Sequence, residues 1–184
     1  MAELVPLLEF NRLWIKTQSS PFEAPYFSCV PYLLGEGQAM HYSVWPKSNK
    51  TTPIPRLPLR PPDDYLRKAM VAALNQGDVE LDIRLQLQTD PHLMPIENNA
   101  VLWPDRLSPR VSVATLRIPK QKFDSPAQIA FARRLSYNPW HCIAEHRPLG
   151  NQSRARRRMY FELSKLRHDM NAEPHYEPTG DETF

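Results

Sequence analysis

The most regular pattern of hydrophobic and polar positions lies between residues 79 and 88. There Leu81, Ile83, Leu85 and Leu87 alternate with Asp82, Arg84, Gln86 and Gln88, the period of a strand with one apolar and one polar face. The pattern predicts that the apolar face is the buried one. Upstream, Tyr26 to Leu34 and Gln38 to Trp45 are rich in aromatic and β-branched residues and flank Gly35-Glu36-Gly37, which predicts a β-hairpin. Pro25, Pro31 and Pro46 place at least one of these strands at an edge or give it a bulge. A fourth strand is predicted over Arg110 to Ile118. Its apolar phase runs through Val111 and Val113 and then switches to Leu116 and Ile118, so either a bulge shifts the register or both faces are covered.

Helical spacing follows at three places. Asp63 is placed to cap a helix that runs to about Gln76 and stops at Gly77, with Leu66, Met70 and Leu74 on one face. Ser125-Pro126 opens a second helix through about Leu135, serine as cap and proline at the first helical position. Ser153 caps the third, to about Asn171, with Met159, Leu163, Leu166 and Met170 on one stripe. Pro53 to Pro62 is dense in proline and reads as an extended connector. The segment from Ala172 to Phe184 is acidic, carries Pro174, Pro178 and Gly180, and is expected to be a disordered tail. The expected fold class is α+β, an antiparallel sheet followed by C-terminal helices. Four strands make an open sheet, and its edges call for a partner, a cover or a further segment.

Composition narrows this only slightly. With 184 residues and 41% hydrophobic content the chain supports one domain. A formal net charge of +3 is too small to demand nucleic acid. Cys29 and Cys142 lie far apart and form no metal or redox motif. Met1 to Phe10 has no basic, long apolar leader pattern, and no run approaches the roughly 20 apolar residues of a membrane span. A cytoplasmic protein is expected.

The distribution of charge is more informative. Arg147, Arg154, Arg156, Arg157, Arg158, Lys165 and Arg167 are opposed in sequence only by Glu162. Cations near a helix N-terminus are disfavoured by about 0.3–1 kcal/mol each, so an anion, or carboxylates from elsewhere in the fold, should answer them. No stacking aromatics or RNA motif accompany the arginines, which argues against a nucleic-acid module. Arg156 and Tyr160 are four apart and neighbours on a helix. A guanidinium beside a phenol favours an anionic oxygen, a reasonable ligand for ferric iron. A core tyrosine with a hydrogen-bonded hydroxyl satisfies the same spacing. His141, Cys142, Glu145 and His146 are dense in possible ligands, but their spacing matches no zinc-hydrolase motif and they read as an ordered loop. Trp45, Trp103 and Trp140 read as core or pocket-wall aromatics.

The run Leu135-Ser-Tyr-Asn-Pro-Trp-His-Cys-Ile-Ala-Glu-His-Arg-Pro-Leu-Gly150, followed by Arg154-Ala-Arg-Arg-Arg-Met-Tyr160, resembles the haem-proximal region of catalase-like proteins, and most of all their small bacterial branch. Met94-Pro-Ile-Glu-Asn, Val101-Leu-Trp-Pro and Val113-Ala-Thr-Leu-Arg-Ile-Pro-Lys-Gln121 extend the likeness, which covers about Tyr26 to Asn171. The resemblance implies that the sheet is the second half of an eight-stranded catalase-type β-barrel. Residues 1–171 are then a partial haem domain and 172–184 its tail. It further implies haem as cofactor and hydrogen peroxide or an organic hydroperoxide as substrate. Tyr160 matches the proximal iron ligand, Arg156 the arginine that touches the phenol oxygen, and Arg167 the arginine on a haem propionate. Arg158 and Glu162 depart from the large-catalase signature, which expects phenylalanine and aspartate. No histidine precedes Tyr26, where the family carries its distal base. Peroxide turnover would then need a front half from another segment or polypeptide, and the open sheet edges make self-association a further expectation. The alternative is a non-enzymatic remnant that binds anions or a partner chain through its arginine helix.

Overall fold

The computed structural model describes residues 18–55 and 61–183. The readings made on Met1 to Phe10 and on the middle of the proline-rich connector lie outside these residues. Among the described residues are five strands and three helices: β1 (Tyr26–Phe27), β2 (Tyr32–Leu34), β3 (Gln38–Pro46), α1 (Tyr65–Gln76), β4 (Val79–Leu87), β5 (Val111–Ile118), α2 (Pro126–Arg134) and α3 (Gly150–Asn171). The fold class is α+β with an antiparallel sheet, as the pattern predicts. The strand expected over Tyr26 to Leu34 is divided into β1 and β2, which both pair with β3. Buried Pro31 lies in the gap, where it has no N–H to give a ladder.

The sheet runs β1-β3-β4-β5, with β2 on the same side of β3 as β1. Between β4 and β5 the register shifts at Ile83/Arg84, where Ile83 faces Ala114 and Arg84 faces Ser112, so Val113 is the extra residue. This is the bulge that the change of phase in β5 suggests. The β2 edge is covered: Leu33 donates to the Arg147 carbonyl (2.9 Å) and Gly35 to that of Glu145 (3.1 Å). Among the described residues no such neighbour lies along β5, and their sheet is open there and not closed as a barrel.

The alternation in β4 is real, but burial departs from it. Leu81 is buried, yet Ile83 and Leu85 are only half-buried and Leu87 is exposed. Asp82 and Gln86, on the polar side, are buried. The loop 89–110 lies over that side and needs donors for its carbonyls. Gln86 Nε2 donates to the carbonyls of Trp103 (3.1 Å) and Ser108 (2.9 Å). Ser108 Oγ in turn accepts from the Leu87 N–H at 3.1 Å. Met94 and Trp103 of this loop form the buried core with Ala39 of β3, and Ile96, Leu107 and Leu149 pack on it.

Helix boundaries follow from caps. Ser125 completes a capping box with Gln128 and starts α2 as read from sequence. At α1 the N-cap is Asp64, one residue later than expected, and Gly77 ends the helix. The third helix begins at Gly150, three residues before the expected cap. Ser153 is instead inside the first turn, and its buried hydroxyl has no partner among the described residues. The stripe Met159, Leu163, Leu166 and Met170 is exposed along its length. At the far end Ala172 turns left-handed at φ 50°. Residues beyond it run back along α2, where Tyr176 meets the Phe131 ring edge-on and Arg134 lies over it. Among the described residues no helix is long and apolar enough to cross a membrane.

Candidate functional site on the last helix

Gly150 sets where this helix starts. Its φ of +84° is left-handed, and a Cβ there would lie 3.1 Å from the Ile96 carbonyl oxygen. The closeness lets Glu97 reach the helix N-terminus, accepting from the Asn151 N–H at 2.6 Å and pairing with Arg154 at 3.4 Å. Glu97 is the carboxylate from elsewhere in the fold that the arginine run requires. Its role was invisible in sequence because it lies 57 residues from Arg154. The other arginines are taken up one by one. Arg157 lies 5.1 Å over the Trp140 ring and Arg158 pairs with Glu162 at 3.8 Å. Trp140 Nε1 also donates to the Ser153 carbonyl at 2.8 Å, fixing the preceding loop to the helix.

Arg156 is spent on Tyr160. Its Nη2 donates to the phenol oxygen at 3.0 Å, and its guanidinium carbon lies 5.1 Å from the ring centre. Partial burial works against the charge on Arg156. The bond to Tyr160 and the negative potential of Tyr160, Tyr32 and Cys29 outweigh it, so its pKa rises. Tyr32 is pushed well above the usual phenol range by burial and by neighbouring Tyr42. Tyr160 is half-buried; Met159 and Leu163, one residue before and three after it, are exposed. A cleft of about 500 Å³ opens beside it, walled by Ser136, His141, Ser164, His168 and His175 among others. Buried His168 and the Ser136 hydroxyl are 3.3 Å apart, and Ser136 also meets Ser164 at 2.5 Å.

Arg167 is not part of this wall. Its Nη2 donates to the Leu135 carbonyl at 2.5 Å, tying α3 to the end of α2. Of the three residues singled out from sequence, the fold thus joins Tyr160 and Arg156 and directs Arg167 to the backbone. Among the described residues no group of three or more His, Cys, Asp or Glu side chains is arranged to hold a metal ion. His168 and the serine pair were not foreseen; only the i, i+4, i+8 spacing of Tyr160, Ser164 and His168 hinted at a shared face.

No family model matches the chain, and no curated protein does. Solved structures do. A fungal catalase superposes with a TM-score of 0.67 at 14% identity, over 84% of this chain and 33% of that one. Catalase A from Saccharomyces cerevisiae gives 0.64 at 13% identity, over 88% and 37%. A bacterial catalase gives 0.65 at 13%, over 91% and 37%. The chain spans about a third of the length of these proteins. Over that third, it has the catalase fold.

Proposed function

We propose that this chain is a cytoplasmic, catalase-related haem protein of hydroperoxide metabolism that contributes the proximal side of the haem site. The observation that carries the reading is the 3.0 Å hydrogen bond from Arg156 to the Tyr160 oxygen, next to exposed Met159 and Leu163 on the same helix. Tyr160 would supply an oxygen to hold the iron, and Arg156 would hold negative charge on it. Met159 and Leu163 would meet the apolar face of the macrocycle and keep water from it. Haem, when bound, supplies the redox chemistry. Taking a proton from peroxide and returning it needs a base on the opposite side, and a phenol oxygen committed to iron does not provide one. We assign that task to a front half from another polypeptide or segment. The propionate role that the resemblance implies for Arg167 requires it to release the Leu135 carbonyl.

The reading as an anion-binding arginine helix has less support, because Arg154, Arg156, Arg157 and Arg158 each have a partner within the chain. Haemin titration separates the two. The parent should bind and give a tyrosinate-type ferric spectrum. Tyr160→Phe should keep the fold, weaken binding and change the spectrum. Unchanged affinity and spectrum in Tyr160→Phe would remove the reading.

A further inference from the structure

The open side of the sheet has a definite chemical character. Opposed residues share a face, so the register builds three apolar columns: Pro46–Leu81–Leu116, Val44–Ile83–Ala114 and Tyr42–Leu85–Val111. Among the described residues no helix packs broadly on the sheet. The columns become more exposed toward β5, where Val111 and Leu116 are open and the bulged Val113 stands beside them. The polar residues of β5 are already satisfied within the chain. Ser112 Oγ donates to Asp82 at 2.5 Å, Lys47 donates to Thr115 at 2.6 Å, and Arg117 is paired with Asp78. Among the described residues, what β5 leaves unused is one row of backbone donors and acceptors and a set of apolar side chains.

Protein edges are commonly protected by charge, proline or a covering loop. The β2 edge has such a loop. The segment Val111–Ile118 contains no proline and a single charge, Arg117, which is neutralised by Asp78. An antiparallel edge is complementary to itself about a two-fold axis, and no like-charge clash opposes that pairing here. We propose that β5 pairs antiparallel with β5 of a second copy of this chain, continuing the apolar face from one copy into the other. The bulge at Val113 bends the strand and confines the ladder to part of its length. The pairing uses none of Tyr160, Arg156 or the cleft beside them, so its test reads separately from haem binding, and it describes the chain without the front half that would otherwise continue the sheet from this edge.

Sedimentation velocity of the full chain without haem, from micromolar concentrations upward, tests the pairing. The expected result is a monomer–dimer equilibrium. The double variant Val113→Lys/Leu116→Lys should raise the dimer dissociation constant by about tenfold or more. Both positions are about half exposed (53% and 42%), so circular dichroism and the melting midpoint of the monomer should stay as in the parent. Hydrogen exchange gives a second readout: β5 amides should gain protection with concentration in the parent and not in the variant. A parent that stays monomeric, an open-ended series of larger oligomers, or a dimer indifferent to both lysines would each overturn the proposal. So would a β5 that gains protection only when a different polypeptide is added.

Discussion

Gly150→Ala is the most informative single change, because two separate costs converge on it. An L-residue in the left-handed region loses about 1–2 kcal/mol, and φ here is +84°. The added Cβ would sit 3.1 Å from the backbone oxygen of Ile96 and 3.4 Å from Glu97 Oε2. Backbone cannot swing aside as a side chain does, so relief means moving the start of α3 away from residues 96–97, at a further cost of about 1 kcal/mol or more. Together these give roughly 2–3 kcal/mol, or about 4–12 °C in melting midpoint for a chain of this size. The same shift would loosen Glu97 from the Asn151 N–H and Arg154. Gly77→Ala is the control: its backbone is extended and nothing lies within 4 Å of the new Cβ, so it should be neutral or slightly stabilising. Thermal melts of the two variants beside the parent decide the matter. Equal midpoints for Gly150→Ala and Gly77→Ala would refute the strain argument.

Gln86→Leu keeps bulk but strips the donors from the carbonyls of Trp103 and Ser108; about 1–3 kcal/mol should be lost, with faster exchange in the loop 89–110, and an unchanged urea midpoint would count against this anchor. His41 is held below its ordinary value of 6.5, first by burial, with the Arg110 charge adding to this and a hydrogen bond donated to the Ser28 backbone opposing it. The folded state therefore binds fewer protons there than the unfolded chain, so the contribution is complete above about pH 6.5 and is lost as pH falls toward the depressed folded value. Urea titrations at pH 7.5 and 5.5 should show that loss, and it should shrink in His41→Gln. Finally, the haem-loaded chain alone should evolve little oxygen from hydrogen peroxide, since proton transfer opposite Tyr160 needs a base that Tyr160 does not supply; steady turnover near that of a complete catalase would contradict this.

The parts of the fold legible in sequence were those set by neighbours a few residues apart. The capping box at Ser125, the Gly35-Glu36-Gly37 turn and the phase change in β5 are local chemistry, and each is present. Arg156 and Tyr160 belong here too, since one helical turn places them in contact. Errors arose where distant residues decide. Leu81 to Leu87 looked like a core-facing row, but the loop 89–110 covers the opposite face and buries Gln86 instead. Ser153 looked like a cap, but Leu149 is tied to the Pro31 carbonyl at 2.9 Å and Glu97 meets the next turn, so the helix starts earlier. The Met159–Met170 stripe has helical spacing, yet spacing states only which residues share a side, not whether anything lies against that side.

The indole of Trp140 donates to the Ser153 carbonyl and has the Arg157 guanidinium over its ring. Its emission should therefore report locally on the first turns of α3. A cation over the ring and a fixed N–H partner both vanish when that turn frays. With Trp45 and Trp103 replaced by phenylalanine, and Trp14 likewise, one tryptophan would remain, held against α3 at Ser153 and Arg157, about one to two turns from Tyr160. Quenching of that single emitter by a bound macrocycle would measure occupancy near Tyr160 without any turnover assay, while its wavelength would follow the integrity of the Gly150 junction in the same cuvette.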